Sequence, residues 1–200
     1  MSGQADSSIG WGLWLRWVLA NVAGVVAVLA VTLVAALIAK AVLGGEAEDK
    51  VPFVPMLWLG LGIAQWLVLR RHVPQAGWWV LASAAGWLGG FALLYLFPKG
   101  VPGQATNYEA IALLFALALG ASLGVMQWLV LRRHFAQAGW WVLASIVAWV
   151  ATLLVIGKSV DRLTDFIALA VVPPAITGLA LIWLVRRSFG RASNARPTAP

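Results

Sequence analysis

Residues 62–83 read GIAQWLVLRRHVPQAGWWVLAS and residues 124–145 read GVMQWLVLRRHFAQAGWWVLAS, with 18 of 22 positions identical at a spacing of 62 residues. Each copy runs from an apolar segment through an Arg-Arg-His break into a second apolar segment that opens on two tryptophans. A chain that stops at paired arginines and resumes its apolar run a few residues later has reached a membrane surface, turned and gone back. At the same period, Arg16-Trp17-Val18-Leu19-Ala20-Asn21 echoes residues 78–83, and Ile182-Trp183-Leu184-Val185-Arg186-Arg187-Ser188 is a decayed echo of QWLVLRRH. The unit is therefore a helical hairpin, and three of them, at about 16–72, 78–134 and 140–188, make six helices. Trp17 to Trp66 and Trp79 to Trp128 are each 49 residues, whereas Trp141 to Trp183 is 42, so the third unit is shortened. Two helices per unit give parallel repeats related by rotation about the membrane normal, which predicts a pseudo-threefold bundle.

The rest of the chain fits that frame. Of 200 residues, 62% are hydrophobic and 10% charged, against about 25% charged in a soluble domain. The absence of cysteine excludes a disulfide scaffold, a thiolate metal site and thiol redox chemistry. Charges divide the chain into six charge-free runs, 17–39, 51–69, 72–98, 110–131, 134–157 and 166–185. Each is about the 20 residues that a helix needs to cross a hydrocarbon core, and continuous apolarity excludes the alternation of barrel strands. The expected fold is all-α: a polytopic membrane protein with six transmembrane helices in a single membrane domain over 1–200, with flexible tails at 1–10 and 189–200. Ala39-Lys40-Ala41 resembles a cleavage site, but the apolar run ahead of it is longer than a signal-peptide core, so the first helix is read as retained.

With alternating spans, one side collects Arg16, Arg70, Arg71, Arg132, Arg133, Arg186, Arg187, Arg191 and Arg196 against Asp6. The other has Lys40, Lys50, Lys99, Lys158 and Arg162 against Glu46, Glu48, Asp49, Glu109, Asp161 and Asp165. The formal charge of +7 thus resolves into +8 and −1, and the positive-inside rule puts both termini in the cytoplasm. Ten of the thirteen tryptophans fall near that face and read as an aromatic belt.

QWLVLRRH and AGWWVLAS resemble segments of uncharacterised bacterial multi-spanning membrane proteins with repeated QWLVLRR and AGWW hairpins. The resemblance spans most of the chain and implies no activity or site residues. Mitochondrial carriers also consist of three two-helix repeats, but their P-x-[DE]-x-x-[KR] signature is absent from every unit here.

Several side chains are candidates for function. Arg70, Arg71, Arg132, Arg133, Arg186 and Arg187 end the even helices, where they set topology and complement the helix dipole; they also offer forked donors to anionic lipid headgroups or phosphate. Asn21, Gln65, Ser83, Gln127 and Ser145 lie at similar depth and form a polar interhelical layer, each Gln expected to bond the Ser of the following helix. Pro173 and Pro174 kink the sixth helix by removing two backbone donors. Gly120 with Gly124, Gly60 with Ala64, and Gly86 with Gly90 bring helix backbones close. His72 and His134 occupy equivalent positions without the acidic or thiol neighbours that a metal would need. Thr106 to Glu109 forms a capping box, and Asp161 and Asp165 suit a helix start.

No catalytic, metal-binding or cofactor-binding residue and no cofactor is expected, and no carboxylate lies deep in a span. The leading expectation is a non-enzymatic membrane protein acting by helix packing, lipid contact or as an accessory subunit of a larger membrane complex. A small transporter or channel using the polar layer and the kinked helix comes second, and an enzyme on lipid-phosphate substrates third. Expected partners are membrane lipids, anionic headgroups at the cytoplasmic face and membrane proteins, including further copies of the chain, but not nucleic acid.

Overall fold

The structure, a computed structural model, describes residues 3–43, 53–96, 108–156 and 163–194. Six helices account for nearly all of them: α1 (Gly3–Leu43), α2 (Phe53–Leu69), α3 (Trp78–Leu96), α4 (Tyr108–Leu131), α5 (Trp140–Ile156) and α6 (Leu163–Asn194). The described residues contain no strand. Lys50, Lys99, Lys158, Asp161, the capping Thr106, and the terminal residues 1–2 and 195–200 lie outside the described residues. The stretches expected as tails are helical over 3–10 and 189–194, because α1 and α6 continue past the apolar runs.

Three helices are long and apolar enough to cross a membrane: α1 over Gly10–Val42, α4 over Glu109–Leu131 and α6 over Thr164–Ser188. Helices α2, α3 and α5 are apolar but shorter, at 17, 19 and 17 residues. The third and fifth charge-free runs overstate their helices because their first residues form turns. Residues 70–77 and 132–139 each reverse the chain between antiparallel helices with nearly the same bonds: the amides of Val73 and Phe135 donate to Leu69 and Leu131, and those of Trp79 and Trp141 donate to Ala76 and Ala138. Gln75 has φ 56°, the only non-glycine residue with positive φ among the described residues.

Each helix packs on its two neighbours in sequence, and α6 returns to α1, so the six form a closed ring. Among the described residues the backbones of helices across the ring do not approach one another closely, so only side chains meet at its centre. The outward face is apolar, as Leu29, Leu33, Leu81, Leu88, Leu143 and Leu154 illustrate. Contiguous exposure of this kind is an aggregation hazard in water, whereas hydrocarbon matches it.

Without a hydrophobic drive between helices in lipid, close backbone approach has to supply dispersion contact. The α4–α5 contact shows how. A Cβ on Gly120 would lie 2.8 Å from Ile146 Cα, and one on Gly124 would lie 2.9 Å from Val142 Cα. Gly86 performs the same service for α3 against Leu123 of α4. Gly120→Val or Gly124→Val should therefore push α4 from α5 and cost about 1–3 kcal/mol. Gly12→Ala, at a helical position with nothing nearby, should be neutral or slightly stabilising. Thermal unfolding in detergent micelles, followed by circular dichroism, compares the three variants.

Candidate functional site

Inside the ring, Trp17 of α1, Trp79 of α3 and Trp141 of α5 meet edge to face, with centroids 6.1 Å apart for Trp17–Trp79, 6.1 Å for Trp17–Trp141 and 5.5 Å for Trp79–Trp141. They are 0%, 0% and 1% exposed. Depth along the chain groups these three with the other tryptophans near the arginine-rich face, but they are buried inside the ring rather than on its surface. In the doubled tryptophans the first residue faces outward, Trp78 and Trp140 each being 58% exposed, and the second faces the axis. Adjacent helical residues lie about 100° apart, so one of each pair can face the axis while the other faces outward.

A buried indole N–H needs an acceptor. Trp79 Nε1 donates to Gln65 Oε1 at 2.9 Å and Trp141 Nε1 to Gln127 Oε1 at 2.9 Å. Each Gln in turn donates to the odd helix before it: Gln65 Nε2 to Asn21 Oδ1 at 2.8 Å, and Gln127 Nε2 to Ser83 Oγ at 3.0 Å. The polar layer does assemble, but the expected partner was the Ser of the following helix. The following helix presents its Trp instead, because an indole reaches farther toward the glutamine than a serine hydroxyl does. Asn21 and Ser145 close back on the carbonyls of Trp17 and Trp141.

The third unit has Ile182 at the glutamine position, and Thr177 replaces the missing amide: Trp17 Nε1 donates to Thr177 Oγ1 at 3.2 Å, while Thr177 donates to Pro173 O at 2.8 Å. Thr177 was missed from sequence because it lies six residues before Trp183 rather than one. The spacing of 62 residues between Trp17, Trp79 and Trp141 was the signal that could have identified the triad.

Beyond the triad lies a chamber of about 60 Å³, lined by all five members of the polar layer together with Thr177, Pro173 and Pro174. Its far end carries a second aromatic cluster, in which Trp87 stacks on Trp58 at 5.2 Å and meets Trp149 edge-on at 5.2 Å. Pro173 and Pro174 sit within a continuous α6 and leave the carbonyls of Leu169 and Ala170 without their helical donors. No described side-chain N or O atom that is fully buried lacks a partner.

At the arginine end, Leu69, Val73, Ala76, Leu131, Phe135, Ala138 and Leu184 pack beneath the triad and shut the ring. The arginines outside this floor divide into two kinds. Arg70, Arg132 and Arg187 each stack over the tryptophan four residues earlier, Trp66, Trp128 and Trp183, at 5.4, 5.0 and 4.4 Å. Such exposed cation–π pairs contribute about 0.5–1 kcal/mol each. In the third unit the partner is thus Arg187, which also donates to Gln137 Oε1 at 2.8 Å, while Arg186 covers Gly10. Arg71 and Arg133 are exposed. Among the described residues no three His, Asp or Glu side chains group as metal ligands. His72 is exposed by area, yet desolvation of its buried part, and then the charges of Arg16 and Arg71, hold its imidazole below the ordinary 6.5.

No protein-family model matches the chain, and no curated protein or solved structure is similar to it.

Two expectations follow. Trp79→Phe strands Gln65 Oε1 and should cost about 1–3 kcal/mol, whereas Trp79→Phe with Gln65→Leu should cost less than the two single changes added. A double-mutant cycle on thermal unfolding in micelles measures the coupling. The native state also resists protonation of His72, so its stability should fall as pH drops through about 6.5, the ordinary imidazole value. Arg16→Gln should raise the His72 titration midpoint toward 6.5, read from the two histidine ring resonances by NMR.

Proposed function

We propose that the chain is a six-span integral protein of the bacterial cytoplasmic membrane, with both termini in the cytoplasm. Three hairpin repeats surround a pseudo-threefold axis, and the protein works without catalysis, as a rigid scaffold that binds lipid and neighbouring membrane helices. One observation carries this reading: the central polar side chains satisfy one another across helices, in a ring that three mutually packed indoles shut. Donors and acceptors already committed to each other are structural bonds, worth about 0.6–2 kcal/mol each in a membrane. A solute path would need some of them free.

Six spans are supported by the ring, since α2, α3 and α5 lie between the longer helices and fall within the roughly 17–25 residues that cross a bilayer. The orientation rests on the arginine-rich end. The resemblance to bacterial proteins with repeated QWLVLRR and AGWW hairpins points to the same membrane.

A carrier of small polar solutes is the second reading, favoured by Pro173 and Pro174 lining the chamber beside the polar layer. Stopped-flow swelling of proteoliposomes in glycerol and urea separates the two. The scaffold reading expects rates equal to protein-free vesicles, with Gln65→Leu/Gln127→Leu lowering the melting temperature and leaving permeability unchanged. A rate several-fold above protein-free vesicles that the same variant abolishes would replace it with the carrier. For topology, Ala136→Cys should react with an impermeant maleimide only from the cytoplasmic side; labelling from the periplasm would reverse the orientation.

A further inference from the structure

The repeat gives each hairpin a comparable outer face, and one of the three differs from the others. Between α3 and α4, at the arginine end, an outward-facing groove of about 300 Å³ is lined by Trp78, Leu81 and Ala85 of α3, Leu129 of α4, and Arg133 and His134 beyond it. At the place of Trp78, the first unit carries Arg16 and the third carries Trp140. Trp140 is packed edge-on against Trp183 at 6.2 Å, so an aromatic pair occupies that position between α5 and α6. Arg16 adds a cation beside Arg71 and His72, where the α3–α4 groove has an indole.

The polar groups at the mouth of the α3–α4 groove are uncommitted. Arg133 and His134 make no side-chain hydrogen bond or ion pair among the described residues, in contrast to Arg132 on Trp128 and Arg187 on Gln137. Gln75 also lines the groove. Its counterpart Gln137 is taken by Arg187. From Trp78 to Ala85 the apolar wall descends about 10 Å along α3, at about 1.5 Å per residue.

A guanidinium and an imidazole above an apolar trough, with an exposed indole at the rim, match a phosphate held at headgroup depth with an acyl chain below it. We infer that the α3–α4 groove binds one phospholipid with an anionic headgroup, its phosphate on Arg133 and His134 and one chain along Leu81, Ala85 and Leu129. This rests on the membrane reading above and names the lipid class and the place.

Native mass spectrometry of the intact chain, released from micelles containing equal phosphatidylglycerol and phosphatidylcholine, tests it. One retained phosphatidylglycerol per protein is expected, in preference to phosphatidylcholine. Arg133→Gln/His134→Gln removes one juxtamembrane cation and an imidazole donor and should weaken retention about fivefold or more, from about 1 kcal/mol for the cation alone. Arg71→Gln/His72→Gln makes the same pair of substitutions beside the first hairpin and should leave retention within about twofold. Ala85→Trp fills the trough without changing charge and should abolish retention of the lipid. Equal losses from the two charge variants would mean diffuse attraction and overturn the site, as would retention by Ala85→Trp or displacement of the lipid by 10-fold excess inorganic phosphate over lipid, which would identify a free-anion site. Failure of the membrane reading would appear separately, as extraction of the protein from phosphatidylglycerol vesicles by alkaline carbonate.

Discussion

A buried indole N–H left without an acceptor costs on the order of 1–3 kcal/mol, and this protein gathers three of them at one point. The requirement organises what surrounds it. Trp79 needs Gln65 and Trp141 needs Gln127, and each glutamine meets both its acceptor, on the odd helix before it, and its indole donor, on the odd helix after it. A chain of bonds from α1 to α2 to α3, and from α3 to α4 to α5, follows directly. Thr177 then ties Trp17 to α6. Polar bonds at the centre thus join five of the six seams, and packing, helped where glycines let Cα atoms of neighbouring helices approach, completes the ring.

The third hairpin shows what the constraint demands and what it leaves open. Glutamine is absent there, yet the Trp17 N–H is still paired, by a hydroxyl that is held in turn on the carbonyl of Pro173. The cation–π pair is also kept, shifted by one residue in the motif so that Arg187 retains its spacing of four from Trp183. Helical geometry explains the shift: side chains four residues apart share a face, so the spacing has to persist even when the residues between are shortened. The same unit carries Pro173 and Pro174, so the place where the repeat has decayed most is also the place where two helix-interior prolines line the chamber.

Much of this was legible in the sequence. The repeated QWLVLRRHxxQAGWWVLAS segment identifies hairpins, the charge-free runs identify helices, and the glycines at spacing four identify close seams. Asn21, Gln65, Ser83, Gln127 and Ser145 share a layer because equal distances along straight helices give equal depth, and the chamber brings all five together. Helix starts were less legible. Charge marks where a chain meets water, whereas α3 and α5 begin where the turns 70–77 and 132–139 end, six or more residues farther on. The pairing of Gln127 with Ser83 rather than Ser145 was not legible, since both serines have the same depth and the choice depends on which residue of the following helix projects toward the axis.

By itself the sequence determined an all-helical, apolar, internally repeated chain with its arginines gathered at the ends of the even helices, because composition and period act locally along each helix. Only the tertiary structure decided which tryptophans turn inward, that three of them meet, that Thr177 replaces a lost glutamine and that the α3–α4 groove stays open. Those outcomes depend on rotation of each helix about its own axis and on its neighbours around the ring. Depth can be counted along a chain, but facing is settled only when helices pack and every buried donor has to find an acceptor.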